Sequence, residues 1–447
     1  MFEVRDKPEM VERALLVRIN SDKREEDEAI SLLTELGELV ETLGIGVSDS
    51  MLAHTRSLHK KFLCGTGKAQ EVVDLAKAHE CDCIVFDNQL LPSQQRNWEE
   101  LADMCVIDRE EVILDIFSQR AHTREARLQV DLAKMQYSLP RLTRMWGHLD
   151  REGGGGGSAG GAGSSGGKGG GGASRGMGEQ QVEVDRRLAR TRIDQCKREL
   201  AEVRKQRNTR RKEREKQETP CAAIAGYTNA GKSTLLNQIS GSEVMAKDML
   251  FATLDTTTRA IELPDGQPLL LTDTVGFVRN LPHRLVEAFK ATLEEAVLAD
   301  FIIHVLDASD PEAKTFYDTT MDVLAELGAG DKPMITVLNK VDKLDDPVKL
   351  AGLEVSFPNT ITVSAKTGQG MEELISRFTE MLADRVQVLN YRIPQSRGDL
   401  TGLLHREAKI LETEYEGNDM LVRAVVPASI AGKLASFHEE APQKASS

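Results

Sequence analysis

Apolar positions along this chain alternate between short unbroken runs and runs with helical spacing. Arg13 to Asn20 reads as a strand, and 25–42 has helical spacing through Ile30, Leu33, Leu36 and Val40. Apolar runs at Cys83–Phe86 and Met104–Ile107 alternate with helical stretches at 68–79 and 94–102, which predicts a small α/β domain over residues 1–109. From about 109 to 140 the pattern is long and helical, with Leu128, Leu132, Met135 and Leu139 spaced 4, 3 and 4. A second such stretch, 181–216, spaces Ala189, Ile193, Cys196, Leu200 and Val203 by 4, 3, 4 and 3. Each stripe needs a partner to bury it, so 110–216 is expected to fold back as a helical coiled-coil hairpin. Its glycine-rich tip, 153–173, has too little apolar surface to order itself and is expected to be disordered.

Farther along, apolar strand candidates at 221–225, 269–272, 301–306, 334–338 and 361–363 alternate with helical segments at 232–239, 284–298, 313–327 and 371–382. This predicts a mostly parallel, helix-covered sheet over 218–384, with a ligand expected beyond the carboxyl ends of its strands. Residues 385–438 form a further small α/β unit: Val386–Ile393, a helical 397–405, then Ala408–Tyr415 and Met420–Val426 as a hairpin around Glu416-Gly-Asn. The polar end, 439–447, is expected to fray.

Composition narrows the class. The chain has 447 residues, a length suited to about three domains, and 40% apolar residues, enough for several cores. No apolar run reaches membrane-spanning length, and Met1-Phe-Glu-Val-Arg-Asp lacks a signal-like apolar core, so a cytoplasmic protein without integral membrane association is expected. The six cysteines have no paired metal-ligand spacing and read as free thiols. The formal net charge of -14 disfavours indiscriminate nucleic-acid binding, yet 181–216 holds 14 Lys or Arg against 7 Asp or Glu. Such segregation suits a directed polyanion contact. Since the stripes can be satisfied within one chain, a monomer is expected.

The chemistry is concentrated at strand ends. Gly226, Tyr227, Thr228, Asn229, Ala230, Gly231, Lys232, Ser233 and Thr234 form a G-x-x-x-x-G-K-[ST] loop between an apolar run and a helical pattern, the context that a phosphate-binding loop requires. Its backbone N–H groups can close around a β-phosphate, Lys232 can reach the β- and γ-phosphates, and the Ser233 hydroxyl can hold magnesium. Asp273, Thr274, Val275 and Gly276 make a D-x-x-G at the end of the next run, with Asp273 toward magnesium and the Gly276 N–H toward the γ-phosphate. Asn339, Lys340, Val341 and Asp342 follow another strand. A carboxylate there can accept guanine N1–H and its exocyclic amine, a pairing adenine cannot match. Ser364, Ala365 and Lys366 can supply a backbone N–H to the guanine oxygen. Together these pieces specify GTP over ATP. Phe277 occupies the position after D-x-x-G where many small GTPases carry glutamine, and a phenyl ring cannot orient water, so slow intrinsic hydrolysis is expected. A weaker glycine loop, Gly65-Thr-Gly-Lys68, is explained as well by a turn into a helix.

The whole set resembles translation-factor-like P-loop GTPases and, more narrowly, the HflX family of ribosome-associated GTPases. The narrower likeness rests on Leu250–Arg259, Phe62–Lys68, Pro92–Asn97, Asp115–Ala121, Leu139–Thr143 and Arg175–Glu179. It implies an N-terminal α/β domain with a helical hairpin, a GTPase domain and a small C-terminal domain. It further implies binding to the large (50S) ribosomal subunit and its RNA, and splitting of stalled or idle 70S ribosomes under stress. By the same resemblance Thr253 is the switch I threonine completing magnesium coordination, with Phe251, Ala252, Thr253, Leu254 and Asp255 over the nucleotide. The residues alone leave Thr253, Thr256, Thr257 and Thr258 open for that role. The chain departs from the family at Thr256 and Met177, where proline is usual, and in its longer glycine tract. A GTP-dependent ribosome-assembly or RNA-remodelling factor, or a non-enzymatic nucleotide-switched adaptor, stays open beside ribosome splitting.

Overall fold

A computed structural model describes residues 11–144, 173–216, 219–241, 250–251, 254, 256–281, 295–344, 346–382 and 386–439. The chain divides into two compact units whose main boundary falls between Arg204 and Lys205.

The first unit is built on β1 (Arg13–Asn20), α1 (Glu26–Thr42), β2 (Gly46–His54), α2 (Thr66–Ala78), β3 (Cys83–Phe86), α3 (Pro92–Ala102) and β4 (Cys105–Asp108), with a parallel sheet in the order β2-β1-β3-β4. Edge strand β2 buries only Ala53 and so leaves no apolar run to read. The expected long helix over 109–140 is instead two helices, α4 (Arg109–Arg120) and α5 (Arg124–Ser138). Ala121 is extended, and Thr123 caps the second helix by accepting the Ala126 N–H at 3.2 Å. Then α6 (Ala173–Lys216) runs for 44 residues, carrying Met177 within it. Leu128, Cys196 and Leu200 are buried together, with Leu132, Met135 and Val203 packed against them, so the two apolar stripes meet. The expected disordered tip lies outside the described residues except for Ala173, which opens α6.

Buried polar ties explain several sequence motifs of this unit. Arg141 donates from Nε to Gln95 Oε1 at 2.9 Å and from Nη2 to the Leu90 carbonyl at 2.7 Å, and its guanidinium lies 3.6 Å from the Tyr137 ring centroid. Gln95 in turn donates to the Val106 carbonyl. Arg109 bridges Asp87 at 2.7 Å and Glu35 at 2.5 Å, all three buried, and Arg18 also pairs with Asp87. Lys68 pairs with Glu71 one turn on in α2, consistent with a plain turn into that helix.

The second unit contains a six-stranded sheet and a four-stranded one. The larger comprises β5 (Cys221–Gly226), α7 (Lys232–Ser240), β6 (Thr257–Glu262), β7 (Pro268–Asp273), β8 (Phe301–Asp307), α8 (Ala313–Glu326), β9 (Met334–Asn339), α9 (Pro347–Ser356), β10 (Thr360–Thr362) and α10 (Met371–Met381). Its order is β10-β9-β8-β5-β7-β6, parallel except for β6. Exposed β6 and the largely exposed α9 have no continuous apolar signal, and the sequence did not announce either. Most of the helical segment expected at 284–298 lies outside the described residues. One core packs α7 and α10 against the sheet through Leu235, Leu236, Ile303, Val305, Leu374 and Phe378; Leu306 and Leu338 face the other side. The smaller sheet, order β12-β13-β11-β14, is antiparallel and uses β11 (Val386–Pro394), α11 (Gly398–Glu407), β12 (Lys409–Glu416), β13 (Asp419–Pro427), α12 (Ala428–Leu434) and β14 (His438–Glu439). The expected hairpin turns at Gly417, φ +62°. Of the end expected to fray, 439–447, Glu439 instead pairs with Asn390 of β11 in β14, and 440–447 lie outside the described residues.

His304, on central strand β8, is fully buried with neither ring nitrogen hydrogen-bonded among the described residues. Burial, aided by the Lys232 charge, pushes its pKa down to about 3 from 6.5. The unfolded chain therefore takes up this proton while the native fold does not. The associated stability is complete above pH 6.5 and is lost as pH falls toward 3. Replacing His304→Leu should make the acid limb shallower by about 1.4 kcal/mol per pH unit within that window, measured by urea midpoints across pH. Identical limbs for both proteins would contradict this.

Candidate nucleotide-binding site

Strand β5, central in the sheet, delivers Gly226 at its carboxyl end with φ +148°, and a Cβ there would lie 2.2 Å from the Val305 carbonyl oxygen. Only glycine allows that approach. Asn229 and Gly231 both adopt positive φ, and a Cβ on Gly231 would lie 2.3 Å from Asn339 Nδ2. Between the glycines, Tyr227 is buried and stacked on Phe316, with centroids 4.0 Å apart. Ala230 gives its carbonyl to Asn339. Ser233 and Thr234 open α7 behind Lys232.

Lys232 is buried and donates from Nζ to the Tyr227 carbonyl at 2.7 Å. Burial lowers its pKa to about 8, against the opposing pull of Asp273. A polyphosphate would supply the anionic partner that restores a full charge to this amine. Ser233 Oγ donates to Asp273 Oδ2 at 2.6 Å. Two hard oxygen donors from the α7 start and the β7 end thus stand together beside Lys232, a set suited to magnesium. Thr274 is pinned to the Ile224 carbonyl through its hydroxyl at 2.8 Å. Val275 is buried, and Gly276 lies so close to the loop that a Cβ would sit 2.9 Å from Lys232 Nζ.

Beyond Gly276 the chain pairs with the loop itself. Phe277 N–H donates to the Gly226 carbonyl at 3.1 Å, and Thr228 N–H donates to the Phe277 carbonyl at 2.8 Å. The Thr228 amide is therefore committed to protein in this structure. The Phe277 and Val278 side chains are both buried.

The base end is assembled on β9 and the loop after β10. Asn339 is a structural bridge: Nδ2 donates to the Ala230 carbonyl at 2.8 Å, and Oδ1 accepts the Ala365 N–H at 3.0 Å. That engagement of Ala365 refines the expected guanine-oxygen donor role of Ser364-Ala-Lys366. Lys340, φ +62°, pairs with Asp307 at 2.8 Å. Val341 packs against the core beside α9, leaving Asp342 exposed. Asp342 Oδ1 accepts from Ser364 Oγ at 2.6 Å, and that bond holds its carboxylate pKa below the ordinary value. Lys366 is exposed.

Switch I is only partly placed. Leu250, Phe251 and Leu254 are buried, whereas Ala252, Thr253 and Asp255 lie outside the described residues. Thr257 and Thr258 belong to β6, and Thr258 Oγ1 lies 3.0 Å from Thr272 Oγ1 across the ladder. Thr256 immediately precedes that strand. The sequence did not reveal the Tyr227–Phe316 stack or the pairing of Arg279 with Glu312, because both join residues far apart in the chain.

A phosphate loop against D-x-x-G, with an N-K-x-D tied to it through Asn339, defines a P-loop GTPase. Three families match in register: GTP-binding GTPase N-terminal over residues 31–118, GTP-binding GTPase Middle Region over 120–214, and 50S ribosome-binding GTPase over 221–340. GTPase HflX of Akkermansia muciniphila is 61% identical over 441 residues, covering 98% of this chain and 99% of its own. GTPase HflX of Escherichia coli K12 is 40% identical over 417 residues, covering 93% of each. A GTP-binding protein from Sulfolobus solfataricus in complex with GDP is a remoter likeness, 24% identical with a TM-score of 0.42 over 83% of this chain and 99% of that one. The chain belongs to the HflX family of GTPases.

If Asp342 reads the guanine amine, Asp342→Asn should weaken GDP binding about 10- to 100-fold and favour xanthosine diphosphate, whose 2-oxo group accepts from an amide. Competition against a fluorescent nucleotide measures this; unchanged preference for guanine would remove Asp342 from base recognition.

Proposed function

We propose that this GTPase is magnesium-dependent, binds the large ribosomal subunit and splits stalled or idle 70S ribosomes. The observation that carries the reading is the union, in one chain, of the assembled GTP site with a 44-residue helix whose segment 181–216 is strongly basic within an acidic protein. The coiled-coil hairpin reading of 110–216 is supported by the shared burial of Leu128, Cys196 and Leu200. RNA phosphates suit its cationic face. Exposed Arg56, His59, Lys60 and Lys61 add a second basic surface in the N-terminal region. The family descriptions and the relatives support the ribosomal partner.

In this reading Ser233, Asp273 and Thr253 would hold magnesium, which would supply charge neutralisation to the phosphates. Lys232 and the Gly226–Thr234 backbone bind the phosphates, and Gly276 N–H addresses the γ-phosphate. Asp342 selects guanine. Thr253 and Gly276 are the two points at which loss of the γ-phosphate releases the switch segments. Phe277, buried and backbone-paired to the loop, offers no group that orients water. Intrinsic turnover is therefore slow, and ribosomes supply the missing positioning. The protein works as a cytoplasmic monomer.

Light scattering of intact 70S ribosomes tests the splitting role. A drop with GTP and a non-hydrolysable analogue, but not with GDP, is expected. No drop under any condition, with binding to free subunits retained, would put subunit assembly in its place.

A further inference from the structure

We infer that Arg279 is a positioning residue, a latch that holds the start of switch II so that Gly276 stands ready for a γ-phosphate. This deepens the reading of Gly276 as a γ-phosphate contact. Asp273 anchors one end of the connecting segment through its hydrogen bond with Ser233. At the other end, three residues beyond Gly276, the Arg279 backbone N–H donates to the Tyr227 hydroxyl at 2.9 Å. The tyrosine is itself a fixed post, because its ring is buried and stacked on Phe316 at an interplanar angle of 12°.

The guanidinium completes the arrangement. Arg279 Nη1 lies 3.3 Å from Glu312 Oε1 just ahead of α8, and its centre lies 5.5 Å from the Phe316 ring centroid. The arginine side chain is only 7% exposed, so its charge is desolvated, and Glu312 and Phe316 are among the groups that stabilise it. The guanidinium addresses Glu312 and Phe316. It acts through the backbone: Arg279 holds Val278 and Phe277, Phe277 pairs with Gly226 and Thr228, and Gly276 is held against Lys232.

The ligand contacts give this role a signature. A γ-phosphate gains from a prepositioned Gly276 N–H, whereas GDP has no group there to gain from it. Loosening the latch should therefore cost triphosphate affinity selectively. General damage to the phosphate loop would weaken both nucleotides.

The experiment measures binding of fluorescent GDP and a fluorescent non-hydrolysable GTP analogue to the full chain with magnesium. The variants are Arg279→Met, Glu312→Leu, their combination, and the milder Arg279→Lys, which keeps the charge but loses the fork. Each of the first three should weaken analogue binding about tenfold and leave GDP binding within about twofold, with the double variant no worse than the singles. Arg279→Lys should lose less. Equal loss of both nucleotides in Arg279→Lys, unchanged analogue binding in all variants, or multiplied losses in the double variant would overturn the latch. Failure of the unmodified protein to bind either nucleotide would instead refute the site reading itself.

Discussion

The phosphate loop of this protein is held in shape by the segment that follows D-x-x-G. Gly226 accepts from Phe277, and Phe277 accepts from Thr228, so loop and switch II extend the sheet by a short parallel pairing beyond β5 and β7. This pairing requires glycine at 226 and at 276, since a Cβ at either position would meet neighbouring atoms at less than 3.0 Å. It also sets the chemistry. Lys232 is enclosed beneath it, deprived of water and poised for an anionic ligand.

Asn339 imposes the second constraint. By joining the Ala230 carbonyl to the Ala365 amide, it fixes β9 and the loop after β10 to the Gly226–Thr234 loop. The spacing between these two segments is thereby tied to one buried side chain. On the proposed site, guanine and polyphosphate would be recognised as a unit because their binding elements share this bridge. The cost of burying so much polarity is visible at His304, which remains neutral within the sheet.

Much of this was legible in the sequence, for identifiable reasons. Parallel strands buried on both faces leave continuous apolar runs, and Arg13–Asn20 and Cys83–Phe86 coincide with β1 and β3. Motifs such as Gly226–Thr234 compress their geometry into local spacing. Strand β6 and strand β2 escaped notice because edge strands exposed to water need no apolar run. The break between α4 and α5 depended on Thr123 acting as a cap, a signal weaker than the surrounding helical period. Contacts between distant residues were invisible: nothing in the local pattern pairs Tyr227 with Phe316 or Arg279 with Glu312. The guanine motif illustrates the same divide, since its residues were evident while the engagement of Ala365 by Asn339 was not.

The phosphate site brings Lys232, Ser233, Asp273 and Gly276 together yet carries a buried phenylalanine where a water-orienting side chain would stand. Single-turnover GTP hydrolysis, measured with and without purified large ribosomal subunits at saturating protein, tests that claim most directly. Slow hydrolysis by the protein alone and acceleration of at least about tenfold by the subunits are expected. Equal rates in the two conditions would contradict this.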